Sequence, residues 1–149
     1  MKGIISSKTK EEGEKPLLLL HGNFSITQEV ALTDAQGQPE ISKGQSVLDT
    51  VGFSVKEQEM VTQARYLIPE GTKGENLSVC VRSPEILWHE TECSVDGSYL
   101  VFSLKNGENQ IAVIESKTAP SLWYGVAAII LLVFIIAVIS ERKHKAKLN

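Results

Sequence analysis

The chain has 149 residues, of which 42% are hydrophobic, and a formal net charge of −3, a size typical of one ordinary domain. Residues 1–120 contain 17 acidic and 11 basic residues, so this part of the chain is clearly acidic. Because nucleic acids are bound through clusters of lysine and arginine, the acidic balance argues against a nucleic-acid partner.

Residues 1–15 are polar and rich in charge, and we expect them to form a disordered N-terminal lead-in. They contain no apolar stretch of the kind found in a secretory signal peptide. Three explanations remain open. Met1 is not the natural start, the chain is the C-terminal piece of a longer protein, or its membrane topology is inverted. The first two together are favoured.

The stretch KPLLLLHGNFS, Lys15 to Ser25, has the pattern with which α/β-hydrolases end a core strand and begin an oxyanion loop. Such a hydrolase also needs a G-x-S-x-G nucleophile elbow, followed by an acid and a histidine. The chain contains no G-x-S-x-G sequence. We therefore predict a buried strand at Leu17–Leu20 and a turn at His21–Asn23, with no catalytic residue and no enzymatic activity.

Residues 16–115 show the alternation of apolar and polar residues that is typical of half-buried strands. The alternating apolar positions fall into four sets: Phe24, Ile26, Val30 and Leu32; Leu77, Val79 and Val81; Leu100, Phe102 and Leu104; and Ile111 and Val113. Turn-forming sequences rich in Gly, Pro, Asn and Asp separate these segments. Residues 56–67 are interpreted as a helical turn before a strand. The pattern predicts seven or eight strands in a mainly β, antiparallel β-sandwich. Together with the resemblance described below, the fold we expect is an immunoglobulin-like β-sandwich.

His89 lies beside Glu90 and Glu92 in the sequence WHETE, a grouping that could suggest a metal site. One imidazole with scattered carboxylates is a thin ligand set, so we interpret this segment as a solvated acidic edge. No phosphate-binding glycine loop and no C-x-x-C pair occurs. The sequence predicts no metal and no cofactor.

Cys80 and Cys93 are the two cysteines. A hairpin through Ser83–Glu85 would place Cys80 opposite residues near His89, not opposite Cys93. A disulfide would therefore need a bend or a pairing between strands that are not adjacent. Two free, partly buried thiols are the simpler interpretation, and a disulfide is the alternative in an extracytoplasmic domain.

After a short hinge at 116–121, an uncharged apolar run begins at Leu122 and continues to Ile139, with Ser140 extending it. Its length is close to the ~20 residues with which a helix crosses a bilayer. We predict a transmembrane helix over 122–140. Trp123 and Tyr124 stand at its start, where aromatic rings favour the membrane interface.

The C-terminal residues 141–149 form a basic tail that contains Arg142, Lys143, Lys145 and Lys147 and one acid, Glu141. Short basic flanks remain on the cytoplasmic side of a membrane. The prediction is therefore a cell-membrane protein with a cytoplasmic C-terminus and an extracytoplasmic N-terminal domain, in which the tail contacts the lipid bilayer surface.

The stretch from Tyr66 to Ser116 resembles the last half of a β-sandwich domain of Gram-positive cell-surface proteins. The matching elements are Ile68–Gly71, Asp96–Gly97 with Tyr99, Val101 and Phe102, and Ile111 to Glu115. The order of hinge, membrane helix and basic tail is also how such proteins end. Wall-anchored members carry an L-P-x-T-G sorting signal before the helix, and ESKTAPSLWYG contains none. The resemblance therefore implies a protein that stays in the membrane.

This resemblance implies an adhesive, structural or spacer module with an extracellular protein or glycan as ligand. It carries over no catalytic residue. Two alternatives are an accessory subunit of a membrane transport or secretion complex and an enzyme that works at the cell surface. The predicted helix has Gly125 as its only glycine and no G-x-x-x-G sequence, so nothing in it favours close helix packing with a partner.

Overall fold

Ten β-strands and two short 3-10 turns form the regular structure in the computed structural model, which describes residues 2–9, 11–105 and 107–117. The turns span Gln58–Met60 and Gly74–Asn76. The strands are β1 Lys2–Ser6, β2 Leu18–Asn23, β3 Ala31–Thr33, β4 Gln45–Ser54, β5 Val61–Leu67, β6 Leu77–Arg82, β7 His89–Thr91, β8 Cys93–Asp96, β9 Tyr99–Ser103 and β10 Gln110–Ser116.

The strands form two antiparallel sheets. The first sheet has the order β1-β2-β5-β9-β8, and the second has the order β3-β4-β10-β6-β7. One apolar cluster contains residues of both sheets, among them Leu20 and Phe102 from the first and Phe53 and Val79 from the second. The prediction of a mainly β, antiparallel architecture is confirmed, and two sheets that share one core are the arrangement of a β-sandwich.

Period-two alternation placed the core residues of three strands correctly. Leu77, Val79 and Val81 of β6 are buried, as are Leu100 and Phe102 of β9. In β10, Ile111 and Val113 are also fully buried. Successive side chains of a strand point to opposite faces, so alternation identifies the face that meets the core. Strand β10 is buried on its other face too, because Ala112 and Ile114 are buried.

The order of the described strands differs from that of an immunoglobulin domain. In such a domain, the last strand lies at the edge of its sheet, next to the strand that precedes it. Here β10, the last described strand, lies between β4 and β6. The structure therefore confirms the two-sheet antiparallel architecture and does not confirm the immunoglobulin-like part of the prediction.

The prediction that residues 1–15 form a disordered lead-in is wrong for their first part. Lys2–Ser6 form β1, which pairs with β2 in antiparallel register. Ile5 is buried in the core, and the hydroxyl of Ser7 accepts a hydrogen bond from the amide of Leu18 at 3.1 Å. Backbone pairing with β2 and the buried side chain of Ile5 attach this segment to the edge of the sheet.

The predicted turn at His21–Asn23 is also wrong, because these residues continue β2. Gly22 is needed here for space. A Cβ atom at this position would lie 2.3 Å from the carbonyl oxygen of Met60. The pairing of β2 with β5 shifts register between His21 and Gly22, so a bulge and not a turn occurs at this glycine, as is common for glycine inside a strand.

The strand predicted from the alternation of Phe24, Ile26, Val30 and Leu32 is mostly absent. The only described strand in this segment is β3, which lies at the end of the segment. Phe24 and Val30 are buried, whereas Ile26 and Leu32 are exposed.

Side chains supply the backbone contacts of this irregular stretch. Glu57 accepts hydrogen bonds from the amide and the hydroxyl of Ser25. The side-chain oxygen of Gln28 accepts one from the amide of Lys56 at 2.6 Å. The hydrogen bonds from Ser25 lower the pKa of Glu57. Hydrogen bonds between side chains and the backbone compete with strand pairing, and they satisfy backbone groups that a strand would use.

The helical turn predicted within residues 56–67 is confirmed. The 3-10 turn at Gln58–Met60 leads directly into β5.

Residues up to Lys117 cluster as one compact unit. The predicted transmembrane helix at 122–140 and the tail at 141–149 lie outside the described residues, together with most of the predicted hinge. The same is true of Trp123, Tyr124, Arg142, Lys143, Lys145 and Lys147. Within the described ranges, no helix is both long and apolar enough to cross a bilayer.

Candidate functional site

The alternative of a disulfide between Cys80 and Cys93 is wrong, because both are free cysteines. Cys80 lies on β6 of the second sheet and packs with Ala112 and Ile114 in a small cluster separate from the main core. Cys93 lies on β8 of the first sheet and packs against the main core. Burial and the nearby charge of Glu90 raise the pKa of both thiols.

The hairpin that argued against the disulfide is confirmed, since Cys80 pairs with Glu90 and not with Cys93. We expect thiol titration of the unreduced, denatured chain to detect two free thiols. In the folded chain, both thiols should react slowly with a thiol reagent near neutral pH, because burial disfavours the reactive thiolate. A peptide that links Cys80 to Cys93 in non-reducing mass spectrometry would contradict the separation of the two side chains.

His89 has a carboxylate partner, but not one of the neighbours that the sequence offered. Its Nε2 atom lies 3.0 Å from Oε1 of Glu108, in the loop between β9 and β10. Its Nδ1 atom lies 3.1 Å from the carbonyl oxygen of Leu87. Glu108 is 4% exposed, and its carboxylate also accepts a hydrogen bond from the amide of Lys105 at 2.8 Å.

Glu90 and Glu92 are exposed, as predicted for a solvated acidic edge. Among the residues that the structure describes, no three His, Cys, Asp or Glu side chains come together in a way that could hold a metal ion. His89 and Glu108 therefore form a pair that connects strand β7 to the β9–β10 loop.

His21, the histidine of the hydrolase-like stretch, faces a different pocket. It lines a cavity of about 390 Å³ together with Ile4, Thr62 and Gln63. Its Nε2 atom is buried and has no hydrogen-bond partner among the described residues. Burial, and then the positive charge of Arg65, lower the pKa of His21. No nucleophile of the described residues therefore lies within hydrogen-bond distance of this nitrogen.

A larger groove lies against the second sheet, on the side of the small cluster that contains Cys80. We call it the outer groove, and its volume is about 550 Å³. Three parts of the chain line the groove. They are the β3–β4 loop, the strands β6 and β10, and the segment that leads into β7. The lining residues are Gln38, Pro39, Glu40, Ser42, Gln45, Ser78, Cys80, Leu87, Trp88, His89, Glu90 and Ile114.

Hydrogen bonds hold the β3–β4 loop in place. The side-chain oxygen of Gln110 accepts a hydrogen bond from the amide of Gln36 at 2.7 Å. The guanidinium of Arg82 donates one to the carbonyl of Gln36 at 2.5 Å. Pro39, further along the loop, is buried. These contacts indicate that this part of the groove is formed before any ligand arrives.

The segment that precedes β7 is fixed in a similar way. The hydroxyl of Ser83, itself buried, accepts a hydrogen bond from the amide of Ile86 at 3.0 Å. The contact between His89 and the carbonyl of Leu87 holds the next residues. Trp88 packs against the small cluster of Cys80, Ala112 and Ile114.

The surface of the outer groove combines apolar and acidic groups. Leu87 is 79% exposed, and the carboxylate-bearing residues Glu40 and Glu90 are also exposed. The indole nitrogen of Trp88 is buried without a hydrogen-bond partner among the described residues. A preformed concavity with an apolar base and a few polar groups is the usual form of a binding site.

Sequence reasoning missed most of this site. It singled out His89, Glu90 and Glu92, but not Leu87, Trp88 or the β3–β4 loop. A signal was present in the run Ile86, Leu87, Trp88, because three consecutive apolar residues cannot all face the core from an alternating strand.

No protein-family model matches this chain, and no curated protein or solved structure is significantly similar to it. The candidate site therefore rests on its geometry.

Proposed function

We propose that the chain is a single-pass membrane-anchored surface protein whose extracytoplasmic β-sandwich is an adhesive, structural or spacer module. The observation that carries the proposal is the order of segments. A compact β unit ends at Lys117, and an uncharged apolar run from Leu122 to Ile139 and a basic tail follow it. A run of this length supplies enough apolar surface to anchor a helix in a bilayer.

Two features of the domain support a binding or spacer role. Both sheets contribute to one core, and the outer groove has hydrogen-bonded borders, so a ligand would meet a preformed surface. The likeness to immunoglobulin-like surface domains enters the proposal at the level of architecture, which many cell-surface domains share without a common strand order. The proposed relation to Gram-positive surface proteins rests on the sequence resemblance alone.

In this proposal, Trp123 and Tyr124 mark the outer boundary of the membrane. Arg142, Lys143, Lys145 and Lys147 hold the tail on the inner side, where anionic lipid headgroups attract them.

Protease shaving of intact, wall-stripped cells tests the proposal. The cells express the full chain with a tag after Asn149. We expect external protease to remove the β domain and to leave a small tagged fragment in the membrane. If the full-length chain survives until the membrane is opened, the domain is inside and the proposed surface role is wrong.

The basic tail provides a second test. Replacement of Arg142, Lys143, Lys145 and Lys147 by glutamine should leave a mixture of orientations, because these four residues are the positive charges of the tail. The measurement is the fraction of chains that protease shaves. The matched control replaces Lys8, Lys43, Lys56 and Lys73, which lie in the β domain, by glutamine. An unchanged orientation in the tail variant would show that another feature determines the topology.

A further inference from the structure

The outer groove has one sign of charge on its surface. Glu40 and Glu90 line it, and neither forms an ion pair with a described residue. No lysine or arginine is among the described residues that line the groove. The carboxylate of Glu108 is paired with Nε2 of His89, and Glu108 is not among the residues that line the groove. A ligand that places a positive charge here would meet complementary charge, whereas an anionic ligand would be repelled.

The apolar groups of the groove are aliphatic as well as aromatic. Leu87 is the most exposed large hydrophobic residue among those that the structure describes, at 79%. Ile41 and Ile86, at 44% and 39% exposure, are each next in sequence to a lining residue. Of these three residues, Leu87 lines the groove itself, and exposed apolar surface in a concavity is typical of a site that a protein partner covers.

The chemistry of the groove distinguishes a peptide from a glycan. Glycan sites usually present the open face of an aromatic ring. Trp88 instead packs against the cluster of Cys80, Ala112 and Ile114 and is partly buried. Most glycans are neutral or anionic, so they would not use the two unpaired carboxylates as charges. A peptide can supply both an aliphatic side chain and a cation.

We infer that the outer groove binds a short segment of a partner protein in which a lysine or arginine is next to a large aliphatic residue. The cationic group lies between Glu40 and Glu90, and the aliphatic side chain covers Leu87. This inference deepens the proposed function and rests on it for the location of the partner, which is outside the cell. The binding itself can be measured without that assumption.

Tryptophan fluorescence of the full chain in nonionic detergent provides the test. The chain has two tryptophans, so the substitution Trp123→Phe leaves Trp88 as the single reporter at the groove. The probe is a short synthetic peptide of alternating lysine and leucine. We expect a saturable change in Trp88 emission with a dissociation constant of roughly 1–100 µM. A peptide of alternating glutamate and leucine should bind at least about tenfold more weakly.

Matched variants separate the groove from general attraction to an acidic protein. The pair Glu40→Gln and Glu90→Gln should weaken binding by roughly tenfold. The pair Glu70→Gln and Glu75→Gln removes the same charge from exposed positions outside the groove, and binding should stay within about twofold. Leu87→Ser should also weaken binding without unfolding the domain, because Leu87 is mostly in solvent.

Three results would overturn the inference. The lysine peptide could fail to change Trp88 emission up to about 1 mM. Both variant pairs could weaken binding equally, which would show unspecific charge attraction. A neutral oligosaccharide, such as an N-acetylglucosamine oligomer, could bind where the peptide does not, and the ligand would then be a glycan. If protease shaving places the domain outside the cell but the lysine peptide does not bind, the surface role stands and only the inference about the groove is wrong. If the domain is inside the cell but the peptide binds, the surface role is wrong and peptide binding by the groove stands.

Discussion

Phe53→Ala should destabilise the β domain strongly, by about 3–5 kcal/mol. Phe53 is 1% exposed and lies on β4, the longest described strand, which the sequence pattern did not identify. Truncation removes the transfer free energy of the ring and leaves a cavity between the two sheets. The expected measurement is the free energy of unfolding of the full chain in detergent, from urea titration. The midpoint of thermal unfolding should fall by roughly 10–20 °C.

Leu32→Ala is the matched control. Leu32 pairs directly with Phe53 across β3 and β4, but it is 41% exposed, and we expect a loss below about 1 kcal/mol. Apolar alternation alone would assign Leu32 to a buried face. If the two variants were equally unstable, the position of Phe53 in the shared core would be wrong.

Tyr66→Phe should cost about 1.5–3 kcal/mol of stability at neutral pH, a typical value for a hydrogen bond to a charged group. Tyr66 is 2% exposed, and its hydroxyl donates a hydrogen bond to the carboxylate of Asp49. The two residues lie on β5 and β4, so this contact joins the two sheets. Phenylalanine fills the same space, and the measured loss therefore reports the hydroxyl. Urea unfolding of the full chain measures it.

The same pair predicts how stability changes at alkaline pH. Burial, the hydrogen bond to Asp49 and the charge of Asp49 all raise the pKa of Tyr66 above its ordinary value of 10. The unfolded chain therefore loses this proton first. The contribution to stability is complete below pH ~10 and declines as the pH rises above it. Tyr66→Phe removes this contribution, so the free energy of unfolding of the variant should fall less steeply between about pH 10 and 11.

Tyr99→Phe serves as the comparison for both effects. The hydroxyl of Tyr99 donates to the neutral carbonyl of Pro16 at 3.1 Å, so the expected loss at neutral pH is only about 1 kcal/mol. Burial raises the pKa of Tyr99, but the positive charge of Arg65 opposes this effect, and the change in alkaline slope should be smaller. Equal losses and equal slopes in the two variants would contradict the special role of the contact with Asp49.

Much of the fold could be predicted because alternation is a local property. In β6 and β10, each apolar residue of the pattern points into the core, since one face of the strand meets the other sheet. Strand β4 was not predicted from alternation. Its register with β10 shifts between Asp49 and Val47, so the extra residue Leu48 interrupts the alternation of apolar and polar residues. Asp49 also occupies a position where the alternation calls for an apolar residue, and the hydroxyl of Tyr66 donates a hydrogen bond to its carboxylate.

The candidate site was less predictable, because its residues are far apart in the chain. Glu40 and Glu90 are fifty positions apart in sequence, yet they line one groove. Glu108 becomes the partner of His89 through the β9–β10 loop, although Glu90 and Glu92 are much nearer in sequence. No local pattern encodes such a contact, since it depends on which strands become neighbours.

Composition and short-range order were enough to predict the mainly β class, the core-facing residues of β6, β9 and β10, and the uncharged apolar run with its basic tail. Three features came from the folded structure instead: Lys2–Ser6 join a sheet, Gly22 makes room for Met60 within a strand, and β10 lies between β4 and β6. An alternating pattern specifies which face of a strand is buried, whereas backbone pairing and close contacts between distant segments specify its neighbours.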